Sequence, residues 1–181
     1  FVVDNDGSLK DHDPINTVGY SKRMDFGKTN AVTLSNRINI TGVFTVRFKY
    51  YSTLVGYNAF LGTADASFFI RNYLRDRFEV KIGGSIYNFN HALPLSGDVV
   101  LSRDSGGVMT MTVDGIQLSD SYTDTSDFYI ELLGTNFHIG HSQNLGGFVS
   151  DLNINNQHAY VGYGADASDW VDTIGSNNGI P

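Results

Sequence analysis

From Phe44 to Tyr50 every second residue is apolar: Phe44, Val46, Phe48 and Tyr50 alternate with Thr45, Arg47 and Lys49. A period of two belongs to a half-buried strand, because successive side chains leave opposite faces, whereas a helix repeats every ~3.6 residues. The same alternation returns in Phe78, Val80 and Ile82, in Met109, Met111 and Val113, and in Phe128, Ile130 and Leu132. Shorter candidates are Val32 to Leu34, Ser67 to Arg71, Ser85 to Phe89, Val99 to Arg103, Phe137 to Gly140, and Gly147 to Asn155 with Phe148, Leu152 and Ile154 on one face. No stretch carries a helical stripe with a cap and a stop, so crossover helices and a parallel sheet are not expected.

Turn signals separate the strands. Gly83-Gly84 and Asp114-Gly115 each read as a tight hairpin, and Ser105-Gly106-Gly107 as a slightly longer one. At ~8 to 12 residues per strand and turn, 181 residues hold roughly 15 strands. An all-β, two-sheet antiparallel β-sandwich of jelly-roll type is the architecture this pattern predicts. One sandwich is expected over residues 1–161, opening with an acidic segment at 1–16, and a Gly-rich C-terminal tail at 162–181. The chain opens at Phe1 without a start Met or a charged-then-apolar leader, as expected of a cleavage product or an excised domain.

Charge narrows the partners. Twelve Lys and Arg against 19 Asp and Glu give a net charge of −7, which argues against nucleic acid and against an anionic membrane surface. No apolar run approaches the ~18 residues of a membrane span, so no insertion is expected. Cysteine is absent, which removes disulfides, thiolate metal sites and cysteine nucleophiles.

From Met24 to Tyr160 the order of pieces resembles the laminin-G-like and pentraxin-like branch of the concanavalin A-like lectin/glucanase superfamily. Met24-Asp25-Phe26-Gly27 is similar to its opening strand, and Ile40-Thr41-Gly42-Val43-Phe44-Thr45-Val46 to the strand after it. Phe60-Leu61-Gly62 with Phe68-Phe69-Ile70 resembles the following hairpin, and Met111-Thr112-Val113-Asp114-Gly115 a later one. Phe137-His138-Ile139-Gly140 and Gly147 to Asn155 resemble the closing signature, with Ser150 where the family usually has Gly. The resemblance implies a concanavalin A-like jelly roll that binds a cell-surface glycan or receptor, often with calcium. Without cysteines, a microbial or viral version is expected: a virion spike, or an extracellular, secreted or cell-surface protein.

Two places could hold that calcium. Asp4, Asp6, Gly7 and Asp13 fall at positions 3, 5, 6 and 12 of an EF-hand-like loop, where hard oxygen ligands surround a glycine turn, although position 1 is Val2. Asp65, in the loop after a strand, matches the rim position where laminin-G-like domains share a calcium ion, and His141 and Asn144 lie in the loop before the closing strand.

Sugar recognition calls for aromatic faces beside amides and carboxylates in a preformed hollow. Tyr57, Asn58, Asn90, Asn136 and His138 supply those groups near strand ends, and Trp170 is the one tryptophan. Catalysis has less support. Glu79 and Glu131 are the only glutamates and lie in different strands, so the paired-glutamate motif of jelly-roll glycosidases is missing. Gln157-His158 lacks the spacing of a lyase strand, and no nucleophile elbow is present. A non-catalytic glycan- or receptor-binding module is therefore the expected function. A structural assembly domain that forms homo-oligomers or a larger surface array is the alternative, followed by a glycan-cleaving jelly roll.

Overall fold

The computed structural model describes residues 2–3, 9–10, 32–52, 57–92, 94–133, 137–138, 142–143, 147–160 and 170–180; for 2–3, 9–10, 52, 57–58, 137–138, 142–143, 147–148 and 180 it describes the backbone. Among these residues every regular element is a strand. Two form a short ribbon, β1 (Val2–Val3) with β2 (Leu9–Lys10). The body is built from β3 (Val32–Ile40), β4 (Phe44–Ser52), β5 (Tyr57–Gly62), β6 (Phe68–Tyr73), β7 (Arg77–Ile82), β8 (Ser85–Asn90), β9 (Ser96–Arg103), β10 (Val108–Val113), β11 (Ile116–Thr123) and β12 (Phe128–Leu133). A second ribbon, β13 (Phe137–His138) with β14 (Ser142–Gln143), precedes β15 (Gly147–Ile154), β16 (His158–Tyr160) and β17 (Gly179–Ile180).

These strands make the expected sandwich. One sheet has six strands in the order β11-β10-β9-β4-β15-β16, the other seven in the order β17-β3-β12-β5-β6-β7-β8. Each ladder between neighbours in these two sheets is antiparallel. The alternation that announced the fold points as the period requires: Phe44, Val46, Phe48 and Tyr50 are buried, while Thr45 and Arg47 are exposed. Aromatic rings knit the layers together. Phe44 meets Phe128 edge-on at 5.1 Å, Phe128 stacks on Phe68 at 4.3 Å, and Phe60 packs against both Phe48 and Tyr50. Each such side chain contributes roughly 1.5 to 3 kcal/mol by leaving water.

All three glycine-marked turns form. Asp114 and Gly115 both take positive φ, 52° and 79°, the backbone that a tight hairpin between twisted strands demands. In the loop before β10, Asp104 accepts the N–H groups of Gly106 and Val108 at 2.8 and 2.9 Å. The expected opening strand at Met24 lies outside the described residues.

Side chains close both edges where the sheets meet. Along one, the Asn90 N–H donates to Asp120 at 2.7 Å, the Tyr122 hydroxyl to the Asn88 carbonyl at 2.6 Å, and Tyr87 to Asp124. Along the other runs the segment expected to be a tail. Residues 170–180 instead belong to the body: β17 pairs with β3, Asp172 bridges to Tyr160, and Asn177 exchanges hydrogen bonds with Ser35 and Asn36. Trp170 is fully buried in the core at this edge, 6.3 Å from the Tyr160 ring. The expectation that it serves as a ligand platform is corrected on that ground, because its indole has no solvent face to offer.

A second correction concerns β15. Even spacing put Phe148, Leu152 and Ile154 on one face, yet Val149 shares the core with Leu152 and Ile154. The pairing of β15 with β4 shifts register between Ser150 and Asn153, and this bulge changes the parity of the strand.

Candidate functional site

On the outer face of the six-stranded sheet the bulge opens a depression of about 520 Å³, lined by Thr45, Arg47, Lys49, Val100, Asp151, Asn153 and Asn156. Three strands supply it. On β4 the polar half of the alternation places Thr45, Arg47 and Lys49 outward; β9 lies directly alongside, with Val100 opposite Arg47 and Asp98 opposite Lys49. From the other side β15 brings Asp151 and Asn153.

Local conformation explains the shape. Asp151 sits in the bulge at φ 49°, and the turn after β15 holds Asn155 and Asn156 at φ 55° and 54°. Asp and Asn enter this left-handed region at lower cost than other residues with a Cβ, and bulges re-aim side chains. The turn is tied to the start of β4, where the Thr45 N–H donates to Asn155 Oδ1 at 2.8 Å and the Asn155 N–H donates to the Thr45 carbonyl at 2.9 Å. Asn153 Oδ1 accepts the Asn156 N–H at 3.0 Å.

Both cations of the depression have a carboxylate partner, Asp98 beside it for Arg47 and Asp151 within it for Lys49. Arg47 grips Asp98 with two parallel hydrogen bonds of 3.0 and 2.5 Å, and this carboxylate raises the guanidinium pKa. Lys49 lies 2.8 Å from Asp151. Arg47 and Lys49 are about half exposed, so fixed donors and acceptors stand side by side at an open surface. Such a mixed polar array suits a ligand rich in hydroxyl groups, each of which both donates and accepts.

Of the residues singled out from sequence, Asp65, Asn90 and Trp170 stand elsewhere. Asp65 is exposed in the β5–β6 loop, its pKa lowered to about 2 chiefly by the Ser67 N–H, which donates to it at 2.9 Å. Its other oxygen accepts from the Tyr129 hydroxyl at 3.4 Å. Beside it, Glu131 accepts the Ala64 N–H at 2.7 Å and pairs with Arg37 at 2.9 Å, and the Arg37 guanidinium lies 4.3 Å above the Tyr129 ring. Asn90, at the end of β8, is bound to Asp120 in the closed edge. Neither Asp65 nor Asn90 lines the depression.

Tyr57, Asn58 and His138 lie on β5 and β13, where the backbone is described. Asp4, Asp6, Asp13, Asn136, His141 and Asn144 lie outside the described residues. Among the described residues no three His, Asp or Glu side chains converge as a metal would require. Asp65, with both oxygens already accepting hydrogen bonds, does not fit the six to eight oxygen ligands of calcium by itself.

No family model matches this chain, and no curated protein matches it in sequence. Solved structures do match in fold. A native heptameric SAP-like pentraxin from Limulus polyphemus superposes with a TM-score of 0.54 at 14% identity, over 74% of this chain and 72% of the pentraxin. Domains LG4-5 of the mouse laminin alpha1 chain give 0.53 at 16%, over 75% of this chain and 42% of that one, so this chain spans less than half of the laminin fragment. The two-sheet jelly-roll fold of this chain is thus similar to that of this pentraxin and of these laminin domains.

Proposed function

We propose that this concanavalin A-like sandwich is a non-catalytic glycan-binding module, and that the depression over β4, β9 and β15 is its site. The observation that carries the reading is the coincidence of a bulged strand, a left-handed Asp151 and a ready-made array of Arg47, Lys49, Asp151 and Asn153 in one hollow. Backbone held in a sparsely populated region clusters at binding sites; the hollow supplies the polar groups expected for sugar hydroxyls, and, unlike the aromatic-faced hollow expected from sequence, no ring is among its lining residues. The module belongs, in this reading, on a virion spike or on a secreted or cell-surface protein, with a host or environmental glycan as partner. Binding in the depression uses its own donors and acceptors, so it persists in EDTA.

The test is retention on a glycan array followed by titration. Arg47→Ala and Asn153→Ala should each weaken the selected glycan by about tenfold, the effect of losing one or two polar contacts, with unchanged circular dichroism. Retention that survives both substitutions would remove the site from this hollow.

A further inference from the structure

Asn39-Ile40-Thr41 is the only place in the chain where an asparagine is followed two residues later by Ser or Thr, and the residue between them is not proline. That spacing is the acceptor pattern for an N-linked sugar, which needs the asparagine amide at an accessible surface. Asn39 lies on β3 between Ile38 and Ile40, both buried, so the period of two turns it outward. It is exposed, and so is Thr41 just past the end of the strand. Among the described residues no hydrogen bond takes up the Asn39 side-chain amide, whereas Asn90, Asn155 and Asn177 spend theirs on closing an edge, tying a turn and pinning the C-terminal segment. Beyond Thr41 the chain bends through Gly42 at φ 59°, which sets the acceptor beside an open turn.

The cross-strand neighbour completes the setting. Tyr129 on β12 is directly opposite Asn39 and shares its face. Its ring is held by the Arg37 guanidinium at 4.3 Å and by a hydroxyl that donates to Asp65 at 3.4 Å. A ring fixed in this way offers the first sugar an apolar surface where it leaves the sheet.

From this placement we infer that Asn39 is an N-glycosylation site. The step joins C1 of the leading sugar of a lipid-pyrophosphate-linked oligosaccharide to Asn39 Nδ2. The bond from that carbon to the pyrophosphate breaks, the lipid pyrophosphate leaves, and one amide proton passes to a base of the transferase. Such a donor is met in a secretory pathway, so the inference rests on the secreted or cell-surface setting proposed above. Asn39 faces out from the seven-stranded sheet and the depression from the six-stranded one, so the sugar leaves the hollow clear.

The test is expression of the full chain behind a cleavable leader in cultured animal cells, with the intact mass read in both medium and cell fractions. The expected result is a mass increased by one oligosaccharide, which peptide:N-glycanase removes. Asn39→Gln and Thr41→Ala should each abolish the increase and Thr41→Ser should keep it, all with the circular dichroism of the parent chain. A chain at its bare mass in both fractions would overturn the site, as would a sugar that persists in Asn39→Gln. The same samples on a glycan array separate this site from the proposed function. Retention of an unmodified chain overturns Asn39 alone, whereas a modified chain that no glycan retains leaves Asn39 in place and counts against the binding module.

Discussion

The ring of His158 and the carboxylate of Asp172 meet at 2.5 Å, and this pair anchors the C-terminal segment to the sandwich. Asp172 also accepts the N–H groups of Ala159, Ile174, Gly175 and Asn177. Burial opposes its charge, but the His158 bond and the backbone donors outweigh that cost and hold its pKa at about 2. A free aspartate titrates near ~3.9, so this stabilisation is complete above about pH 5 and fades as pH falls toward 2. Asp172→Asn should lower stability at neutral pH by about 2 to 3 kcal/mol and flatten the acid limb of a plot of melting temperature against pH. An acid limb identical to that of the parent protein would place the linkage elsewhere.

Gly175 stands where only glycine fits. A Cβ there would collide with Asp172 Oδ2 and approach His158 Nδ1 to 2.8 Å and the Gln157 carbonyl to 3.1 Å. Gly175→Ala is expected to cost about 1 to 3 kcal/mol in chemical denaturation. Combined with Asp172→Ala it should cost less than the sum, because the first obstacle is gone.

Arg103 is a buried cation held by backbone carbonyls. It donates to Gly42 at 2.6 Å, Ser126 at 2.7 Å and Asp124 at 3.3 Å, with its guanidinium 4.9 Å from the Phe44 ring. It thereby joins β9 to two turns at one end of the sandwich. Arg103→Met keeps much of the length and loses the donors, for an expected loss of about 2 to 4 kcal/mol measured by urea unfolding. Arg103→Lys, with a single ammonium in place of the fork, should fall between.

Asp151→Gly separates shape from chemistry. Glycine accepts φ 49° without the roughly 1 kcal/mol penalty of a Cβ, while the half-exposed pair with Lys49 contributes about 0.2 to 1 kcal/mol. Stability should therefore change by less than about 1 kcal/mol, while glycan retention falls several-fold through loss of the carboxylate. A melting temperature lowered by 10 °C or so would show that the bulge depends on this side chain.

How much of this was legible depends on whether the signal is local. Strands β4, β7, β10 and β12 show in their own alternation, and the hairpins in their glycines. The bulge in β15 does not, because the parity change at Ser150 to Asn153 is imposed by pairing with β4, about 100 residues earlier. The hollow shares that difficulty. Thr45, Arg47 and Lys49 are visible as the polar side of one strand, but Arg47 finds Asp98 across 51 residues of chain. The C-terminal segment reads as a tail because its Gly and Asn residues are turn formers; here they let several N–H groups converge on Asp172. Trp170 was the one strong clue to a packed segment, and a sole tryptophan fits core and ligand roles equally well. Asp65 and Asn90 carry the chemistry of a site, yet their groups are spent on a loop and an edge.

The closed edge at β8 has a consequence for crowding. Asp120 and Tyr122 already occupy the Asn90 N–H and the Asn88 carbonyl on the outward side of β8. A neighbouring copy finds those outward backbone groups engaged and cannot extend the sheet through them. In the glycan-binding reading proposed above, copies displayed side by side on a surface would multiply weak sugar contacts into firm attachment without that border seeding a fibre.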